Sequence, residues 1–211
     1  MFKNRIEAGI QLAAKLTKFK NQSGVLLAVP RGGVPVAYAI AKELKLPVEL
    51  LLTKKIGHPM NKEYAIGAAS INDYFIANPE DISEEYIKNE LYRIRTRLKE
   101  MKEKFKKNKE PTNLQDKIVI IIDDGIATGN TLLGTIHLLR KNMPNKIVIA
   151  VPVASKKGFN KLLKEVDEIV TIQIPEIFHG VGEFYENFEQ VSDKEVIYYL
   201  QKIDELEKEK I

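Results

Sequence analysis

The stretch VIIIDDGIATGNT, residues 119–131, decides the fold class that the sequence predicts. It opens with four apolar β-branched residues, which are typical of a strand buried in a parallel sheet. Two carboxylates, Asp123 and Asp124, follow directly, and after them comes a loop rich in glycine and threonine that leads into a helical pattern. Because ligands of open α/β sheets bind beyond the carboxyl ends of the strands, this junction is a candidate functional site.

Similar apolar runs lie on both sides of this stretch. They occupy residues 25–29, 48–53, 147–153 and 168–173. Segments with helical periodicity lie between several of the runs, at residues 34–44, 129–142 and 156–166. This alternation predicts an open, doubly wound α/β fold whose mainly parallel sheet is covered on both faces.

The alternation is interrupted between about residues 54 and 112. The pattern there predicts a hairpin over residues 64–77, followed by a long charged helix from near Asp81 or Ser83 to about residue 109. Its apolar residues recur at steps of four and three and form one stripe, made of Ile87, Leu91, Ile94, Leu98, Met101 and Phe105. The other faces are strongly basic and end in Lys106, Lys107 and Lys109. They lack interleaved aromatic residues, which favours a solvated surface over a nucleic-acid contact.

The composition sets limits on the class of protein. The 211 residues, 44% of them hydrophobic, suit a single domain over residues 1–211. Cysteine is absent, so disulfides and thiolate metal sites are excluded. No apolar run is long enough for a signal segment or a membrane span, and we therefore expect a cytoplasmic protein. The net charge of +4 permits an anionic ligand without selecting one.

The chemistry of the loop after the acid pair fits a sugar phosphate. Neither a P-loop nor a dinucleotide fingerprint is present. Free backbone N–H groups at the turn and the helix start can surround a phosphate, to which Thr128 and Thr131 add hydroxyl donors. Carboxylates repel a phosphate, so Asp123 and Asp124 are suited to hydroxyls of the same ligand or to a metal ion. A diol beside a phosphate is a feature of ribose 5-phosphate.

Residues 119–131 resemble the 5-phosphoribosyl-1-pyrophosphate (PRPP) motif of the type I phosphoribosyltransferases. In that motif an apolar run, two acids and a few small residues precede Thr-Gly-x-Thr. The resemblance implies that Asp123 and Asp124 hold the ribose 2- and 3-hydroxyls. It also implies that the 5-phosphate is bound by a phosphate loop of five residues, namely Ala127, Thr128, Gly129, Asn130 and Thr131.

The loop after the first core strand supports the same resemblance. Its residues Arg31, Gly32 and Gly33 resemble the family's pyrophosphate loop, in which glycines admit close backbone approach and a basic side chain meets phosphate oxygens. The likeness implies a cis peptide bond between Pro30 and Arg31. In the family a basic residue near the end of the second strand also contacts pyrophosphate, and Lys54 or Lys55 occupies the matching place.

The family's reaction transfers the phosphoribosyl group of PRPP to a nitrogen acceptor and releases pyrophosphate. The resemblance implies that Mg²⁺ takes part in the reaction and is held mainly by PRPP. The only candidate protein ligands are Asp123 and Asp124. The expected partners are PRPP, a small-molecule acceptor and further copies of the chain in a homo-oligomer such as a homodimer. A membrane or nucleic-acid partner is not expected.

Residues 174–188, which we call the hood segment, bear on the acceptor. They resemble the hood of 6-oxopurine phosphoribosyltransferases, where an aromatic ring stacks on the base, and Phe178 occupies the matching place. Lys156 or Lys157 would then donate to an exocyclic oxygen, which favours a purine acceptor and purine salvage. Ala127 departs from this pattern, since the 6-oxopurine enzymes carry an aspartate there.

Three alternatives stay open. Phe178 and its aromatic neighbours can simply pack under a loop. The protein can be a regulator that senses PRPP or a nucleotide without transfer, or a structural subunit that uses the stripe from Ile87 to Phe105 as an oligomer interface.

Overall fold

The computed structural model describes residues 1–62, 64–77, 81–105 and 112–208. The chain forms two compact units. The first comprises Met1–Leu51, Pro111–Thr128 and Pro144–Ile211, and the second comprises Leu52–Glu110 and Gly129–Met143. The second unit therefore contains nearly all of the interruption expected between about residues 54 and 112 and, in addition, the helix that follows the phosphate loop.

The described residues contain eight strands and six α-helices. The strands are β1 (Gly24–Ala28), β2 (Val48–Leu50), β3 (Lys54–Gly57), β4 (Ala65–Ala69), β5 (Tyr74–Ile76), β6 (Ile118–Ile122), β7 (Lys146–Val153) and β8 (Glu168–Gln173). The helices are α1 (Arg5–Lys15), α2 (Gly33–Leu44), α3 (Glu84–Lys104), α4 (Asn130–Arg140), α5 (Lys156–Leu162) and α6 (Asp193–Lys208). Two short 3-10 helices lie at Thr17–Phe19 and Val181–Phe184.

The first unit is built on a five-stranded parallel sheet in the order β2-β1-β6-β7-β8. Every residue of β1 and β6 is buried, as expected for runs of valine, leucine and isoleucine in a sheet covered on both faces. The strand order reverses between β1 and β6, which makes this pair the switch point of the sheet. The predicted doubly wound α/β fold is confirmed.

Helix α1 was not predicted from the sequence. Its N-cap is Asn4, whose side chain accepts hydrogen bonds from the backbone N–H groups of Ile6 and Glu7, both at 3.0 Å. The helix is short and carries Gly9 near its middle, a residue that disfavours helices. It packs on α2 and on β7 and β8, so tertiary contacts stabilise it.

The second unit contains a three-stranded antiparallel sheet in the order β3-β4-β5. The predicted hairpin is confirmed as β4 and β5, but Lys54–Gly57 adds a third strand where a strand end and loop were expected. Helix α3 covers one face of this sheet, where Ile56 and Ile76 meet its apolar residues. Helix α4 covers the other face, where its His137 stacks on Phe75 with ring centroids 4.6 Å apart.

The apolar stripe of α3 is buried within its own unit. Its members Leu91, Ile94 and Leu98 are buried in one cluster with Ile56 and Ile66, and Ile87 and Met101 pack against that cluster. The interpretation of the stripe as an oligomer interface is therefore wrong, because the chain itself covers it. Ser83 caps the helix by accepting a hydrogen bond from Tyr86 N, and the predicted Lys106, Lys107 and Lys109 lie outside the described residues.

Helix α6 closes the first unit and packs on α2. A capping box begins this helix, because Ser192 Oγ accepts from Glu195 N at 3.2 Å and Ser192 N donates to Glu195 Oε2 at 2.7 Å. The helix buries Val196, Leu200 and Ile203. Of all helices in the described ranges, none combines the length and apolar character that crossing a membrane requires.

Candidate functional site

The candidate site begins where β1 and β6 end side by side. Ala28 and Ile122, the last residues of these strands, are register partners, and Val29 N donates to Ile122 O at 2.8 Å. The loop after β1 and the acid pair after β6 therefore leave the sheet together at its switch point. The peptide bond between Pro30 and Arg31 is cis, as the family resemblance implies.

The two acids lie in different surroundings. Asp123 Oδ1 accepts a hydrogen bond from Asp124 N at 2.9 Å, and burial together with the charge of Asp124 raises the pKa of Asp123 well above its ordinary value. Asp124 Oδ2 instead accepts from Arg5 Nε at 2.8 Å. Asp124 thus has a guanidinium as its hydrogen-bond partner, whereas Asp123 accepts from a backbone N–H group.

Arg5 is a site residue that the sequence analysis missed. Its Nη1 donates to Glu189 O at 2.9 Å, and its guanidinium carbon lies 3.9 Å from the ring centre of Phe188. The side chain of Arg5 is 11% exposed. No sequence pattern relates it to Asp124, because 119 residues separate the two and α1 itself was not predicted.

The hood segment contacts the acid pair through Tyr185. The buried Tyr185 hydroxyl donates to the backbone oxygen of Asp124 at 2.7 Å. Burial, reinforced by the charge of Asp124, raises the pKa of this hydroxyl, so it acts as a donor at neutral pH. Phe2 holds the hood segment in place, because Phe2 N donates to Phe184 O at 2.8 Å and the rings of Phe2 and Tyr185 lie 5.3 Å apart.

Gly32 lies directly against the carboxylate of Asp124. A Cβ atom built on Gly32 would stand 2.0 Å from Asp124 Oδ2, a distance that no side chain tolerates. The loop after β1 and the loop after β6 approach so closely that glycine is required here. These are the loops that the family resemblance relates to pyrophosphate and to ribose. Gly33 follows as the first residue of α2.

Arg31, the basic residue of the pyrophosphate loop, is held by the start of α6. Its Nε lies 3.0 Å from Asp193 Oδ1, and its Nη1 is 3.5 Å from Val191 O. The side chain remains 40% exposed. An exposed ion pair of this kind is weak, so an anionic ligand can compete with Asp193 for the guanidinium.

The phosphate loop starts from the acid pair in the first unit. The backbone oxygen of Ala127 accepts a hydrogen bond from Ser155 Oγ, and the same Oγ caps α5 by accepting from Gly158 N at 2.9 Å. Ile126 bridges to Ala154 at the end of β7. These bonds fix the backbone while Ala127 and Thr128 stay exposed.

The remaining three residues of the phosphate loop open α4 in the second unit. Gly129 is the N-cap residue, with a left-handed φ of 69°, and makes no side-chain cap hydrogen bond. Asn130 and Thr131 form the start of the helix. The first N–H groups of a helix lack partners within the helix, so this end is suited to a phosphate.

The predicted pyrophosphate residues Lys54 and Lys55 are neighbours on β3 in the second unit, and successive strand residues point to opposite faces. Burial lowers the pKa of Lys54, and the charges of Arg97 and Arg93 lower it further, which places Lys54 on the α3 face. Lys55 pairs with Ala68, whose Cβ approaches α4. Of the two lysines, Lys55 therefore shares a face with the helix that carries the phosphate motif.

The two predicted base-binding residues are both engaged by the first unit. Phe178 stacks on Phe184 with ring centroids 5.6 Å apart and joins the apolar cluster around Phe2. These contacts agree with the alternative in which Phe178 packs under a loop. Lys156 Nζ lies 2.6 Å from Glu176 Oε2, and the Glu176 side chain is 85% exposed. A role in base binding stays a prediction for both.

A magnesium ion fits this site only as a companion of an anionic ligand. In the part of the chain that the structure describes, no three histidine, aspartate or glutamate side chains are grouped to hold a metal ion. Asp123 and Asp124 offer two carboxylates, and Arg5 already uses one of their oxygens. Mg²⁺ requires about six oxygen ligands, so most of them would come from a pyrophosphate and from water.

This fold and these loops agree with the comparisons to known proteins. Residues 3–189 match the family profile described as "Phosphoribosyl transferase domain". The chain therefore belongs to the phosphoribosyl transferase domain family.

Individual relatives support this assignment. The chain is 33% identical to the "Putative phosphoribosyl transferase Rv0571c" of Mycobacterium tuberculosis over 96% of its own length. It spans 47% of that protein, about half. The crystal structure of TT1426 from Thermus thermophilus superimposes with a TM-score of 0.87 at 30% identity and covers 94% of this chain and 97% of TT1426. A shorter match of 56 residues, 26% of this chain and 27% of the relative, is 43% identical to the uracil phosphoribosyltransferase of Mycoplasma genitalium.

Proposed function

We propose that this protein transfers the phosphoribosyl group of PRPP to a nitrogen acceptor and releases pyrophosphate. The observation that carries the proposal is the contact of Gly32 with the carboxylate of Asp124. In PRPP the pyrophosphate on C1 is adjacent to the hydroxyl on C2. A PRPP site therefore needs its pyrophosphate loop and its ribose acids close together, as the loops after β1 and β6 are.

In the proposed reaction the bond between C1 and the pyrophosphate oxygen breaks as the acceptor nitrogen forms its bond to C1, and the proton of the acceptor N–H is released to solvent. Positive charge develops on the ribose ring in the transition state. Asp123 and Asp124 would orient the ring through hydrogen bonds with its hydroxyls. Magnesium bound to the pyrophosphate would supply charge neutralisation for the leaving group.

The anionic ends of PRPP would be bound by the two loops. We infer that the contiguous residues 127–131 bind the 5-phosphate through backbone N–H groups, because Gly129 begins a helix without a side-chain cap. Arg31 would bind pyrophosphate after exchanging Asp193 for the ligand. Lys54 and Lys55 stay predicted pyrophosphate ligands, with Lys55 favoured by the face of β3 on which it lies.

The acceptor we propose is a nucleobase, with a purine favoured by the likeness of residues 174–188 to the hood of 6-oxopurine enzymes. The local match to a uracil phosphoribosyltransferase makes a pyrimidine the main competitor. Purine salvage in the cytoplasm by a homodimer is the corresponding biological proposal. In the structure the Phe178 ring stacks on Phe184, and Lys156 Nζ lies 2.6 Å from Glu176 Oε2.

The test is pyrophosphate release from PRPP and Mg²⁺ in the presence of single nucleobases and small amines. The proposal would be supported if the wild type transfers the phosphoribosyl group to at least one base and the double variant Asp123→Asn, Asp124→Asn does not. PRPP binding by calorimetry without turnover on any acceptor would favour the sensing regulator instead. Failure of the wild-type protein to bind PRPP would remove both.

A further inference from the structure

We propose that Arg5 is a positioning residue for ribose recognition, and that it sets the carboxylate of Asp124 for a sugar hydroxyl. The inference rests on the proposed function, because it assigns a role within the same ribose site. It adds a residue from the first helix to a site otherwise built by the loops after β1 and β6.

The first step is the geometry of the guanidinium. Three contacts in different directions hold it: Nε donates to Asp124 Oδ2, Nη1 donates to Glu189 O, and the flat face lies on the ring of Phe188. A planar group fixed by two donors and a stacked ring has little freedom to rotate. The oxygen that it holds is therefore fixed as well.

The second step is the confinement of Asp124. Gly32 lies against Oδ2, and Tyr185 binds the backbone oxygen of the same residue. The side chain of Asp124 is 16% exposed. Arg5 uses one of about four acceptor positions of the carboxylate, so Oδ1 keeps the capacity to accept a hydroxyl in a defined direction.

The third step is electrostatic. Asp123 and Asp124 are neighbours, and PRPP carries several negative charges at both ends. Negative charge on the acid pair would repel such a ligand, and the charge of the Arg5 guanidinium, whose Nε lies 2.8 Å from Asp124 Oδ2, offsets it. The guanidinium of Arg5 is in direct contact with Asp124, while Arg31 is paired with Asp193.

Lysine cannot reproduce this arrangement. Its ammonium is a single point charge, which can approach Asp124 or Glu189 O but does not stack flat on Phe188 while bonding both. Arg5→Lys therefore preserves the charge but loses the simultaneous contacts with Asp124, Glu189 O and Phe188. Arg5→Met removes the charge and keeps an apolar stem for Phe188.

The experiment measures binding of ribose 5-phosphate and of its 2-deoxy and 3-deoxy analogues by calorimetry. The proteins are the wild type, Arg5→Met, Arg5→Lys and the control Lys15→Met, which changes an exposed residue at the end of the same helix. Arg5→Met should weaken binding of ribose 5-phosphate by about tenfold or more, the usual effect of losing a charge-assisted hydrogen bond. Binding of the analogue that lacks the hydroxyl held by Asp124 should change much less.

If Arg5 served packing alone, Arg5→Met would weaken the binding of all three ligands equally, and that result would overturn the inference. Equal binding by wild type and Arg5→Met would overturn it too. The affinity of Arg5→Lys for ribose 5-phosphate should lie between those of the wild type and Arg5→Met. Its loss of affinity should again be smaller for the analogue that lacks the hydroxyl held by Asp124. This variant therefore tests the inference if Arg5→Met does not fold. If the wild type binds neither PRPP nor ribose 5-phosphate, the proposed function itself fails, and the role of Arg5 fails with it.

Discussion

Arg5 Nε lies 2.8 Å from Asp124 Oδ2 although 119 residues separate the two along the chain. The contact joins the first helix to the acid pair at the switch point of the sheet. It makes the two acids unequal, because Asp124 has a cationic partner and Asp123 is stabilised in its protonated form by burial and by its neighbour. This inequality, together with the crowding around Asp124, has measurable consequences for stability and for ligand binding.

The pH dependence of stability should report the buried state of Asp123. Its pKa in the folded protein is raised above the ordinary value of 3.8, so folding favours the protonated carboxyl. The wild type should therefore lose stability, relative to Asp123→Asn, as pH rises from about 3.8 through the raised folded pKa. Urea denaturation at several pH values would measure this difference, and a constant difference across the series would contradict the assignment.

Gly32→Ala should disrupt the site by contact with Asp124. The new Cβ would overlap Oδ2, so the carboxylate must move and PRPP binding should fall by about tenfold or more. We expect a loss of about 1 to 3 kcal/mol in the free energy of unfolding, as for other overpacked positions. Gly180→Ala is the matched control, because nothing lies within 4 Å of a Cβ built there. Equal PRPP affinity in the two variants would argue against the adjacency of ribose and pyrophosphate.

Ser155→Ala should affect both a helix and the phosphate loop. It removes the cap of α5, which costs about 1 kcal/mol, and the bond to the backbone oxygen of Ala127. The KM for PRPP should rise several-fold with a smaller change in kcat. Ser83→Ala removes the comparable cap of α3 and should leave the KM for PRPP unchanged. A similar KM for both variants would show that Ser155 serves only its helix.

Phe178→Leu and Phe184→Leu should separate base stacking from packing. The two rings stack on each other, so both variants should lose a similar amount of stability. If Phe178 also contacts the acceptor, only its variant should raise the KM of a base that supports turnover, with the KM for PRPP unaltered. If the two variants have the same KM for the acceptor, Phe178 serves only the apolar cluster.

The core of the fold was predictable because its signals are local. Continuous runs such as residues 118–122 are typical of buried strands, and glycines after β1 marked the loop that meets Asp124. Lys54–Gly57 was not recognised as a strand because two lysines and a glycine hide its pattern. The length of β2 was overestimated, since residues 51–53 continue the apolar run beyond the last paired residue, Leu50.

The missed part of the site depends on contacts between distant segments. Arg5 reaches Asp124 only because α1 packs on α2 and because Phe2 pairs with Tyr185. Phe178 was matched to a base-stacking position by its place in the chain, whereas its ring partner, Phe184, follows from the fold of the hood segment. Neither pairing leaves a periodic pattern that a sequence can reveal.

The attachment of the hood segment to the acid pair restricts how this protein can be re-engineered. A chimera that grafts another enzyme's residues 174–188 here, in order to change the acceptor, would also replace Tyr185 and Phe188. Those two side chains hold the backbone of Asp124 and the guanidinium of Arg5. If the acid pair binds ribose as proposed, a graft that omits them would alter recognition of the donor sugar as well as of the acceptor.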